Sequence, residues 1–345
     1  MPFWNGKDNR DQILHLLEYL PVQSYESIRA DFLDPLQNTV PDDAVILDFY
    51  SSLMRQWGVQ LRTHPPNSGE FKPLSEMIVH AELLAASLLE KRAAPFDDNE
   101  TSESKPGTQS VIDLYCSLAE LFSYASSNGT IRLTIPLAPT VYTLAFTPIN
   151  SVISILCSIL ATYKSAFETS LTSDVLQTPG RSESLYPTSL VGQFNGYVMD
   201  ICNLVWRNRA LNKEDPNALG CLVAAPTVKA LSEYIRDMNE ISRERKRDSS
   251  FHYILSSIFS LSHHAALCNL SAACFADIEE KNVGEDQARL NRPVTQKALS
   301  ALEKEGGVKI SWQEYRVKML DWLEATGSTG TANLMRSTMK ALRKD

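Results

Sequence analysis

The stretch SLSHHAALCNLSAACF, Ser260–Phe275, sets two histidines and two cysteines within sixteen residues. Imidazole and thiolate are preferred zinc ligands, and a Cys/His pair is also the minimal set for nucleophilic catalysis. A metal ion needs its ligands to converge. With 260–275 read as a helix, His264 and Cys268 share a face as an i, i+4 pair. Cys274 then points about 120° away from Cys268, while His263 and Cys274 stand roughly 16 Å apart along the axis. One helix cannot bring three of these side chains to the ~2.0–2.3 Å that zinc requires. No second His/Cys cluster elsewhere completes the set. Leu267, Leu270 and Cys274 form an i, i+3, i+7 stripe among small alanines. The spacing therefore predicts a closely packed, buried helix, with a metal or thiol site as the alternative reading.

Other chemistry has weaker footing. The sequence holds no GxSxG, P-loop, GxGxxG or HExxH pattern. DDNET (97–101) superficially matches the aspartate-rich metal motif of all-helical enzymes such as terpene synthases. It ends on Thr101 where an acid is needed, and it sits in a polar stretch. Cys/His and Ser/His pairs meet in space, so sequence alone assigns none. No cofactor is expected. A basic run, SRERKRDSS (242–250), holds Arg243, Arg245, Lys246 and Arg247, and Arg207 and Arg209 in VWRNRAL (205–211) could join it. Such a run is either a solvated connection or a contact for nucleic-acid phosphate or an acidic partner.

The elements that must position these residues are helical. RDQILHLLEYL (10–20) carries a wide apolar stripe and is stopped by Pro21. SYESIRADFL (24–33) has Ser24 as N-cap and is ended or kinked by Pro35. PDDAVILDFYSSLMRQW (41–57) opens with Pro and two acids, which the helix dipole favours. Further helices are predicted at 73–91, 110–126, 138–146, 148–171, 188–206, 226–240, 250–260, 264–280, 294–305, 312–325 and 331–342. Ser311–Glu314 fits a capping box. TIRLTIP (130–136) is the one strand-like fragment. Residues 92–109 lack a hydrophobic pattern and read as a disordered loop.

These readings give five segments: N-terminal helical repeats over 1–91, the loop 92–109, central repeats over 110–280, a loop at 281–292 and a C-terminal helical segment over 293–345. Helices pair at roughly 40–45-residue intervals, the scale of HEAT-like repeats. The expected fold is all-α, a HEAT-like α-solenoid of about fourteen antiparallel helices. Trp57, Trp206, Trp312 and Trp322 are expected in its core, with partner interfaces as the alternative. Met1 lies directly before an amphipathic helix with no capping repeat, which suggests a piece of a longer array.

Charge and cysteine usage bound the setting. The 345 residues carry a net charge of −8, so bulk charge does not mark a nucleic-acid binder. Residues 1–110 hold 9 Lys+Arg against 17 Asp+Glu, and residues 291–345 hold 10 against 6. Six cysteines without a disulfide rhythm read as reduced, pointing to an intracellular compartment. Sequons occur at Asn99, Asn128 and Asn269, the last within an apolar helical segment, which argues against a secretory route. No signal peptide is evident. The most apolar run, 148–161, is short of the ~20 residues that a membrane span needs.

Several segments together resemble the fungal branch of the centromere protein I (CENP-I) family. They are LDFYSSLMRQW (47–57), QFNGYVMDICNLVWRNRAL (193–211), NALGCLV (217–223), the stretch 260–275 and RPVTQKALSALEKEGGVKISWQEYRVKMLDWLEATG (292–327). The last is the most specific, although Arg292 stands where a glycine is expected. The matches run in order along nearly the whole chain and correspond to about the C-terminal half of such a protein. The resemblance implies a non-enzymatic helical scaffold of the inner kinetochore, in the nucleus at the centromere, that helps anchor the assembly on CENP-A chromatin. Implied partners are the coiled-coil subunits CENP-H and CENP-K, with CENP-M in many organisms and CENP-T/CENP-W. DNA contact through the basic loop is a further expectation, and no membrane is. The alternatives are a HEAT-type scaffold in transport or trafficking, and an all-helical enzyme.

Overall fold

Pro41 and Asp42 lead into the helix at the centre of the N-terminal half, where the Asp42 carboxylate accepts from the Ala44 N–H at 3.0 Å. The computed structural model describes residues 4–63, 73–92, 107–127, 131–173, 186–244, 253–282, 287–291, 293–339 and 342. Among them the chain is all-α, with no strand. It divides into two units, one of residues 1–143 and 159–188, the other of 144–158 and 189–345.

The first unit contains α1 (Arg10–Leu17), α2 (Tyr25–Ile28), α3 (Asp34–Thr39), α4 (Asp43–Thr63), α5 (Pro73–Arg92), α6 (Thr108–Phe122) and most of α7 (Ala138–Ala145). It also holds the later part of α8 (Asn150–Leu171). Of the two expectations for Pro35, ending or kinking the helix, the first does not occur, because the helical path continues through it. A π-helical turn, Arg29–Leu33, joins α2 to α3, and the proline takes the first turn of α3. The wider turn and the N-terminal position both spare Pro35 the N–H it lacks. The fragment 131–137 forms neither helix nor strand, with Ile131 and Leu133 buried. Residues 93–106, most of the expected disordered loop and all of DDNET, lie outside the described residues.

α4 buries Phe49, Tyr50, Leu53, Met54, Trp57 and Leu61 along its length. The Trp57 indole N–H donates to the Leu20 carbonyl at 2.9 Å. Its neighbours alternate in direction. Asp43 pairs with Lys91 at 2.7 Å and Tyr50 Oη lies 2.8 Å from His80 Nδ1, so α4 and α5 are antiparallel. Arg55 donates to Ser117 Oγ at 2.8 Å, and a Cβ on Gly58 would sit 3.0 Å from Leu121, so α4 and α6 run parallel. The order is therefore up, down, up.

Glu82 on α5 is 3% exposed, and burial pushes its carboxyl up to about 8. In the unfolded chain this carboxyl ionises near its usual value, while in the fold it stays protonated until about pH 8. The unfolded state is thus favoured progressively as pH rises from about 4.5 to about 8. Glu82→Gln is expected to stabilise the fold by on the order of 2–4 kcal/mol at pH 8, read as a higher thermal midpoint, and to leave the midpoint nearly unchanged at pH 4. Equal shifts at both pH values would contradict this.

The second unit holds the start of α8, then α9 (Thr188–Val205), α10 (Ala225–Glu244), α11 (Cys268–Asn282), α12 (Gln296–Lys304), α13 (Trp312–Ala325) and α14 (Thr329–Thr338). The Ser311/Glu314 capping box is present, with Ser311 Oγ accepting from the Glu314 N–H and the Glu314 carboxylate from the Ser311 N–H. Over 253–260, the described part of the helix expected at 250–260, there are instead turns and a 3₁₀ segment, Leu255–Ser257. Serine hydroxyls there bond the backbone instead: Ser257 donates to the Ile254 carbonyl and Ser262 to the Val294 carbonyl. α8 is 22 residues long, within the expected 148–171, and by length and composition alone could cross a membrane. Its most apolar window is 56% buried within the protein. Trp57 and Trp206 are core residues, at 0% and 1% exposure, whereas Trp312 and Trp322 are only half-buried.

Candidate functional site

Residues 260–275 do not form one helix. Turns run from Leu261 to Leu267, and α11 begins at Cys268, so the expected His264/Cys268 helical face does not exist. His264 is 2% exposed; its Nδ1 accepts from the Ala266 N–H at 3.0 Å, and its Nε2 is 3.4 Å from the Ala145 carbonyl. Accepting at one nitrogen and facing a carbonyl with the other fits a neutral ring, and burial pushes its basicity down. Burial does the same to His263, whose ring stands edge-on to Tyr253. The Cys274 thiol is buried and pushed up to about 12 by that burial, so it is protonated at neutral pH. Cys274 and Leu267 are buried as the stripe predicts, but the alanines at 272, 273 and 276 face outward. α11 is thus half-exposed, not closely packed all round. Among the described residues, no group of three His, Cys, Asp or Glu side chains is placed to hold a metal ion.

The basic residues fare differently. Arg243 lies in the last turn of α10, and Arg245, Lys246 and Arg247 lie outside the described residues. Arg207 follows α9 and is part-buried. Its Nη1 is 3.0 Å from Met199 Sδ and 3.9 Å from an Asp215 carboxylate oxygen. Arg209 is exposed. The structure adds Arg316 on α13, whose guanidinium lies 4.8 Å from the centre of the Trp206 ring. Burial, together with the positive charge of Arg207, pulls Arg316 down to about 10. Its Nε is buried without a hydrogen-bond partner. Sequence reasoning missed Arg316 because it lies more than a hundred positions from Trp206. No local pattern signals that pairing.

No protein-family model matches the chain, and no curated protein matches it. What the geometry offers is therefore read from the residues themselves.

The loop that follows Trp206 is held by a buried acid. Asp200 on α9 is 2% exposed. One carboxylate oxygen accepts from the N–H groups of Leu219 (3.0 Å) and Gly220 (2.9 Å), and the other from Cys221 (2.9 Å). Asn208, Leu211, Gly220, Cys221 and Leu222 all adopt left-handed backbone. Gly196 makes room, since a Cβ there would lie 2.5 Å from the Leu219 side chain. Asp200 thus fixes the far end of the loop, while at its start the Arg207 and Arg209 N–H groups donate to the Cys202 and Asn203 carbonyls of α9 at 2.9 and 3.0 Å. A fixed loop can present guanidinium groups to an anionic surface at low ordering cost.

Proposed function

We propose that this chain is a non-enzymatic, HEAT-like α-solenoid scaffold of the inner kinetochore, which binds other kinetochore subunits and helps anchor them at CENP-A chromatin in the nucleus. The observation that carries the reading is the alternation of α4, α5 and α6. Successive helices antiparallel and next-but-one helices parallel is the way stacked helical pairs build. The ordered sequence resemblance to the CENP-I family gives that architecture its setting. The proposed partners are CENP-H and CENP-K, with CENP-M and CENP-T/CENP-W as further members of the assembly. Their recognition would rest on extended helical surfaces with a few buried anchors, as such interfaces generally do. Co-expression with CENP-H and CENP-K tests the reading.

Arg207, Arg209, Arg243, Arg245, Lys246 and Arg247 are the proposed contacts for DNA or an acidic partner. Reversing all six to glutamate is expected to weaken DNA binding about tenfold or more and to flatten its salt dependence by about one unit of slope per lost phosphate contact. Helix content by circular dichroism should not change. Identical binding across the whole salt titration would remove these residues from any DNA interface.

A further inference from the structure

α10 has two apolar faces, and its unit covers one of them. On the covered face Ile235 and Asn239 are 5% and 6% exposed. Asn239 also clips the returning chain: its Nδ2 donates to the Tyr253 carbonyl at 2.7 Å, and its Oδ1 accepts from the Tyr253 N–H at 3.0 Å. The other face is Leu231, Tyr234, Met238 and Ile241. Their spacing alternates between three and four residues, the a/d rhythm of a coiled coil. Leu231 is half-buried between the two faces, but Tyr234 is 62% exposed, Met238 43% and Ile241 42%. One exposed apolar side chain needs no explanation, but three in coiled-coil register on one helix do.

The flanks say what would cover the seam. One edge is closed by the face that packs through Ile235 and Asn239. On the helical wheel the open edge is Asp237, Glu233 and Glu240, all exposed. Lys229 and Arg236 lie further round and reach Glu233 and Asp237 at 4.0 and 3.3 Å, in solvent where such pairs are worth little. A helix laid along the seam therefore meets these carboxylates on its open side. We propose that α10 is a docking seam for one lysine- or arginine-rich amphipathic helix of another protein. A second copy of this chain is a poorer occupant, because it would bring the same acidic row to the shared seam. The proposal deepens the scaffold reading and takes its biological setting from it.

The test uses the full chain and two fluorescent helical peptides of about four heptads, with leucine at a and d and either lysine or glutamate at e and g. It contains no kinetochore subunit, so it can fail independently of the scaffold reading. The lysine peptide should bind with an affinity that falls as salt rises, and the glutamate peptide at least about tenfold more weakly. Met238→Glu with Ile241→Glu should weaken the lysine peptide at least about tenfold while the helix signal stays unchanged. If that pair disturbs folding, Tyr234→Lys gives the same readout from the most exposed position of the seam. Equal binding of the two peptides, binding of neither, or equal binding by wild type and variant would overturn the proposal. So would a wild-type dimer that the double variant abolishes, which would give the seam to a second copy of the chain.

Discussion

Asp200→Ala is expected to lower the thermal midpoint by about 10 °C or more. The substitution strands the N–H groups of Leu219, Gly220 and Cys221, two of them buried. An unpaired buried N–H costs about 1–3 kcal/mol, so the total is roughly 3–5 kcal/mol. In a domain of this size each kcal/mol moves the midpoint by about 2–4 °C. The same bonds hold Gly220 and Cys221 in left-handed backbone, a conformation that costs about 1–2 kcal/mol at a non-glycine residue such as Cys221. Their release should let the loop relax, and a local readout reports it. Burial pushes the Cys221 thiol up to about 12, so it should resist alkylation at pH 8 in the wild type and react in the variant. Asp200→Asn should fall between the two, because one side-chain oxygen can still accept from Leu219 and Gly220. A midpoint within about 2 °C of wild type, with Cys221 still protected, would show that the loop does not depend on this carboxylate.

Gly330→Val is expected to cost about 3 kcal/mol, although Gly330 sits in a helix where a side chain would ordinarily be favoured. A Cβ at Gly330 would stand 1.9 Å from the Ser154 carbonyl oxygen and 3.0 Å from the Ser158 Cβ. α14 therefore touches the first part of α8 backbone to backbone, and valine must force the two apart. Separation also weakens the Gly330 N–H bond to Ser154 Oγ (3.2 Å) and the Asn150 bond to Ser328 Oγ (2.7 Å). Gly306 provides the contrast. It has a left-handed backbone, but nothing lies within 4 Å of an added Cβ. Gly306→Ala should cost only the conformational penalty, about 1 kcal/mol. Thermal midpoints of the two variants decide the matter. Equal losses would mean that the close approach of α14 to α8 contributes nothing.

The parts of the fold that were legible in the sequence are those set by neighbours in the chain. The Ser311–Glu314 box starts α13 where its four residues say it should. The apolar rhythm of 41–57 belongs to α4, which extends on to Thr63. The misread stretches are those whose partners are remote. Serines and histidines at 256–264 look compatible with a helix, but Ser262 bonds Val294 and His264 faces Ala145, and these distant carbonyls favour turns. The apolar, cysteine-containing pattern of 268–275 does not reveal that its alanines face solvent. For the candidate site, Arg207 and Arg209 were visible as charges. Their support was not, because it depends on Asp200 reaching across about twenty positions to a loop and on Arg316 stacking over Trp206.

The scaffold account is tested most directly by co-expressing this chain with CENP-H and CENP-K and measuring the mass of the eluted species by size-exclusion chromatography with light scattering. The account predicts one species with the summed mass of the three chains at equal stoichiometry. A helical, monodisperse chain that elutes alone at 38.5 kDa beside a separate CENP-H/CENP-K species would contradict it.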